Sequence, residues 1–78
     1  MIQTPDPHDL TPAEAERRMA EAERAEQQGR YREATHLYDQ LGKDIQARFG
    51  RFDSRALDAF EGMARSIRKG AENKDGTR

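Results

Sequence analysis

Seventy-eight residues with 33% hydrophobic and 37% charged side chains allow one small domain whose core is poor in material. A net charge of −1 gives no overall field to attract nucleic acid or an anionic membrane, and the absence of cysteine excludes disulfides, zinc–thiolate sites and thiol nucleophiles. No apolar run reaches the length of a membrane span or a signal-peptide core, so a cytoplasmic protein without a membrane role is expected.

Residues 1–10, MIQTPDPHDL, carry two prolines and no periodicity, and are expected to form a flexible arm pinned at most by Ile2 and Leu10. A three-helix domain is expected over residues 11–70. Thr11, Pro12 and Glu14 form a helix start: a hydroxyl cap, a proline suited to the first turn, and an acid three residues on that closes a capping box. Helix one should run from about Pro12 to about Gln28. Its apolar stripe, Ala15–Met19–Ala22–Ala25, is thin enough for a neighbour to approach closely, and Gly29 stops it.

Helix two should run from about Tyr31 to Arg48. Tyr31, Ala34, Tyr38, Leu41 and Ile45 recur at spacings of three and four, which is one buried helix face widened by Leu37. Gly42 inside it marks a close helix approach or a bend. FGRFDS then breaks the pattern: Gly50 ends the helix, Phe49 and Phe52 are expected to plug the core, and Asp53 or Ser54 caps the next helix. Helix three should run from about Ser54 to Lys69 with Leu57, Phe60, Met63 or Ala64, and Ile67 as its stripe, Gly70 as its stop, and residues 71–78 as a disordered tail.

No constellation in the chain suggests an enzyme. His8 and His36 have no acidic or histidine neighbours at metal-ligand spacing, the glutamates fall on helix surfaces, and the glycines make no phosphate-cradling run, so no catalytic, metal or cofactor residue is assigned. Arg48, Arg51 and Arg55 with Phe49 and Phe52 form a basic and aromatic junction that a nucleic-acid-associated regulator would use. Asp44, Asp53 and Asp58 dilute its field, and aromatics here fit core plugs better.

GRYREATHLYDQL, residues 29–41, resembles the second half of a tetratricopeptide repeat: Gly29 and Tyr31 at the inter-helix turn, Ala34 as the small contact residue, Tyr38 as the aromatic, Leu41 as the last core position. Helix three resembles the first helix of a following repeat, with Phe60, Met63, Ala64 and Ile67 in the family's tryptophan, leucine, small-residue and tyrosine places. The long second helix is similar to kinesin-light-chain-like repeats. Helix one departs from the pattern, with Arg18, Glu21 and Ala25 where large residues are expected. The resemblance implies an all-α fold of about one and a half repeats, a three-helix antiparallel bundle.

It also implies a protein-binding scaffold or adaptor. In such repeats the first helices line a face that holds peptides. By position that face would hold Glu16, Met19, Glu23, Glu26 and Gln27 from helix one, and Asp58, Glu61, Arg65, Arg68 and Lys69 from helix three. Phe60 would lie at the partly uncovered edge of helix three. The lysine and asparagine pattern that some such repeats use for a terminal carboxylate is missing, so carboxylate capture is not expected. The partner expected is another protein, a peptide or a second copy of the chain. A regulatory subunit of a larger enzyme is the remaining alternative.

Overall fold

The computed structural model describes residues 10–76, with side chains as far as Glu72. Ile2, His8 and most of the expected arm lie outside the described residues, as do residues 77–78. The fold is an all-α three-helix bundle: α1, Pro12–Gln27; α2, Tyr31–Phe49; α3, Ser54–Gly76.

α1 starts as its sequence dictates. The Thr11 hydroxyl accepts from the Glu14 N–H at 3.1 Å, the Glu14 carboxylate accepts from the Thr11 N–H at 3.5 Å, and Pro12 needs no partner in the first turn. The helix ends at Gly29, whose φ of +81° only glycine adopts freely. The Arg30 N–H then reaches back to the Ala25 carbonyl at 2.9 Å and the Gly29 N–H to the Glu26 carbonyl at 3.0 Å. These bonds satisfy the last carbonyls and reverse the chain within three residues.

Residue pairing sets the directions. Arg18 meets Asp44 and Glu26 meets Tyr38, so numbers rise on α1 as they fall on α2. Gly42 meets Phe60, Gly62 meets Tyr38 and Gly70 meets Tyr31, so α2 and α3 are also antiparallel. α1 and α3 therefore run parallel, both packed on α2, and touch each other at few points. The expected faces of α1 and α2 are the buried ones: Ala15, Ala22 and Ala25 against Ala34, Tyr38, Leu41 and Ile45, with Met19 and Leu37 partly covered and Leu10 anchoring the start.

Three expectations about α3 and its approach need correction. Phe52 is exposed rather than plugging the core. Only Phe49 packs inward, and its ring is covered by the Arg55 guanidinium at 4.2 Å while Asp53 caps α3 through the Arg55 N–H at 2.9 Å. The face that α3 turns to α2 combines small residues, Ala56, Ala59, Gly62 and Ser66, with the expected Phe60 and Met63, whereas Leu57 and Ile67, also expected there, are 52% and 54% exposed. The reason is ring against glycine in both directions. A Cβ on Gly62 would lie 2.5 Å from the Tyr38 ring, and one on Gly42 would lie 2.7 Å from the Phe60 ring, so each ring is seated on a glycine of the facing helix.

Lastly, Gly70 does not stop α3. The helix passes through it, and a Cβ there would sit 3.3 Å from the Tyr31 Cβ, so the glycine lets α2 approach closely. Most of the segment expected as a disordered tail, up to residue 76, is helical.

Candidate functional site

Two features carry chemistry: a charged clamp where α1 meets α3, and an open groove on the other side of α3. The clamp is built on Glu26. Ala15, Met19, Ala22 and Glu26 recur at spacings of four, three and four, which puts a carboxylate on the buried alanine face. Glu26 is only 7% exposed. It accepts from Arg65 Nε at 2.6 Å and Arg65 Nη2 at 2.9 Å, from Lys69 Nζ at 3.0 Å, and from the Tyr38 hydroxyl at 2.8 Å. One side chain thus ties α1 to α3 and both to α2.

A nearly buried carboxylate is tolerable only when paired and hydrogen-bonded. Here the Arg65 hydrogen bonds outweigh the burial that opposes ionisation, and with Lys69 and Tyr38 they hold the Glu26 carboxyl down at about 2. Burial first, then the bond to Glu26, pushes the Tyr38 phenol up to about 12. The same pair holds the Arg65 guanidinium protonated well above its usual range.

The predicted surface residues divide accordingly. Glu26, Arg65 and Lys69 come together, but as partners of each other, so Glu26 is no longer a wall offered to a ligand. Met19, Glu23, Glu61 and Arg65 line a shallow depression with Asp58, and Glu16 joins Met19 and Glu23 in the next depression beside Arg55 and Asp58. The open surface between α1 and α3 is therefore mainly acidic. Gln27 and Arg68 are exposed and take no part in these depressions. Phe60 is not part of that side either: its ring lies over Gly42 on α2.

The basic junction is largely engaged internally. Arg55 pairs with both Asp53 carboxylate oxygens at 3.0 Å and stacks on Phe49, and Arg48 lies 5.3 Å from the same ring.

The groove runs between the N-terminal half of α2 and the C-terminal half of α3, lined by Tyr31, Thr35, Ser66, Ile67, Gly70 and Ala71 among others. Beside it α3 shows a continuous apolar stripe: Leu57, Phe60, Ala64, Ile67 and Ala71, at spacings of three and four, with only Phe60 mostly covered. The Ser66 hydroxyl, fully buried at this seam, has no hydrogen-bond partner among the described residues.

Sequence reasoning missed the Tyr38 hydroxyl as a donor, Gly62 as its seat and the orphaned Ser66. An acid at position 26, on the face that also holds Ala15, Met19 and Ala22, was the available signal that a cation from another helix had to reach it. Among the described residues, no group of histidines or acids is arranged to hold a metal ion, and no helix is long and apolar enough to cross a membrane. Comparison with known proteins gives no matching family model, no matching curated protein and no matching solved structure.

Proposed function

We propose that this chain is a non-catalytic protein-interaction module, similar to a tetratricopeptide-repeat scaffold, that receives a partner helix along the outer face of α3. The observation that carries the reading is the stripe itself. α3 is already packed on α2, yet it holds Leu57 and Ile67 half-exposed at helical spacing, and Ile67 borders an open groove. Isolated exposed leucines need no explanation, but an aligned apolar stripe flanking a groove is the signature of a helix-in-groove contact.

Further support comes from the layout. α1 and α3 run parallel on one side of α2, the relation expected between the first helices of successive repeats. Ala22 and Ala34, the small contact residues of the resemblance, are both fully buried. In that scheme Ala64 and Ile67 face the place of a further helix, and both are exposed. The charged clamp supports a scaffold rather than a peptide clasp between α1 and α3, because Glu26, Arg65 and Lys69 satisfy one another.

Native mass spectrometry of the tagged chain purified from its own cells tests the reading. The wild type is expected in an assembly heavier than its 8.9 kDa, and a Leu57→Asp, Ile67→Asp variant is expected to leave that assembly with its helicity intact. A wild type found only as a free chain overturns the proposal.

A further inference from the structure

The stripe on α3 is self-complementary, in shape and in charge. Leu57, Phe60, Ala64, Ile67 and Ala71 follow the three–four alternation of a coiled-coil seam, with Leu57, Ala64 and Ala71 in one set of seam positions and Phe60 and Ile67 in the other. The seam alternates large and small residues. Its inner flank is Ala56, Met63 and Gly70, turned towards α2. Its outer flank carries Glu61 and Arg68, seven residues apart and so at the same seam position, both exposed. Neither makes an ion pair among the described residues.

Resting on the interaction-module reading, we propose that the partner helix is α3 of a second copy, lying antiparallel in the groove between α2 and α3. In an antiparallel seam, flank residues of one kind meet each other across the two-fold axis. One register brings Glu61 to the partner's Arg68 and Arg68 to the partner's Glu61. The same register sets Ile67 against the partner's Ala64 and brings the partner's Ala71 alongside the outer edge of Phe60, whose ring stays on Gly42. Leu57 closes the end of the seam. Sliding one heptad in either direction puts Glu61 against the partner's Glu61, or Arg68 against the partner's Arg68, so charge selects the register that shape also prefers. A parallel pairing would stack Phe60 on Phe60 and leave the flank charges without their opposites.

A seam confined to one helix and the groove wall of α2 is expected to bury less than the ~800 Å² per partner of a standard interface, so a weak dimer, populated at high protein concentration, is expected.

Charge exchange tests the register. Sedimentation equilibrium over a wide dilution series, at low and high salt, is applied to the wild type, Glu61→Arg, Arg68→Glu and the double exchange. The wild type is expected to dimerise. Each single reversal replaces two attractive flank pairs with two repulsive ones and should weaken the dimer about tenfold. The double exchange should restore it. An equimolar mixture of the two single variants should pair with each other more tightly than either pairs with itself, because every flank contact between them is again opposite in sign.

Equal dimer strength in all four proteins, or a mixture that fails to pair, overturns the register. A wild type that stays monomeric at every concentration overturns self-pairing. The interaction-module reading then stands or falls separately, on whether the chain from cells still sits in a heavier assembly that Ile67→Asp releases.

Discussion

Replacing Glu26 with glutamine keeps the shape of the side chain and removes its charge, so it isolates what the clamp contributes. A carboxyl lowered from 4.5 to about 2 corresponds to about 3 kcal/mol at 1.36 kcal/mol per unit. That figure is an upper bound. The side chains of Arg65 and Lys69 are 42% and 46% exposed, so water screens the cations and hydrates them when Glu26 is gone, which brings the expected loss to roughly 1–2 kcal/mol. In a chain of this size each kcal/mol displaces Tm by roughly 4–8 °C.

The pH dependence has a definite sign. The folded pKa lies below the unfolded value, so the contribution is complete above about pH 5 and is lost as pH falls through about 2. Urea unfolding followed by circular dichroism, for both proteins between pH 7 and pH 2, reads the difference directly. The two stabilities should differ by the full amount near neutrality and converge towards pH 2. A gap that stays constant over that range, or no gap at pH 7, would show that Glu26 does not act as an ionised clamp.

The phenol at the same site titrates in the opposite region. With Tyr31→Phe leaving one tyrosine, ultraviolet titration should place Tyr38 near 12, moving back towards 10 in Glu26→Gln; the folded protein loses this contribution as pH rises through 12. A Tyr38 midpoint near 10 in the parent protein would contradict the buried bond. Gly62→Ala should cost about 1–3 kcal/mol despite alanine's better helix propensity, because its Cβ meets the fully buried Tyr38 ring. Gly42→Ala should cost less, since Phe60 is only partly buried and its ring has room to move. A Gly62→Ala protein as stable as the parent in urea would contradict the ring-on-glycine packing. Ser66→Ala removes a buried hydroxyl that has no partner among the described residues and should be neutral or gain about 1 kcal/mol; a clear loss would mean the hydroxyl is bonded.

Helices α1 and α2 were legible because their signals are local. A capping box, a C-terminal glycine and an apolar period all lie within the element they define. α3 was harder because its buried face is set by another helix. The large residues Leu57 and Ile67 suggested the core side, but Tyr38 and Phe60 each project a ring across the α2–α3 seam, and only small residues fit opposite them. Gly70 illustrates the same point: an isolated glycine after two cations reads as a helix stop until the position of Tyr31 is known. The clamp was half legible. Arg65 and Lys69 were placed opposite the glutamates of α1, yet their mutual satisfaction depends on Glu26 being buried, and that depends on the parallel alignment of α1 and α3.

If α3 docks a partner, its outer stripe is covered by another protein in the cell. In-cell photo-crosslinking reads that cover, with a photoreactive side chain placed at Ile67 and, as a control, at Glu21 on the exposed face of α1. A discrete protein adduct is expected from position 67 and none from position 21, the adduct having twice the 8.9 kDa chain mass if the partner is a second copy. No adduct at position 67, or equal adducts at both positions, would contradict docking on α3.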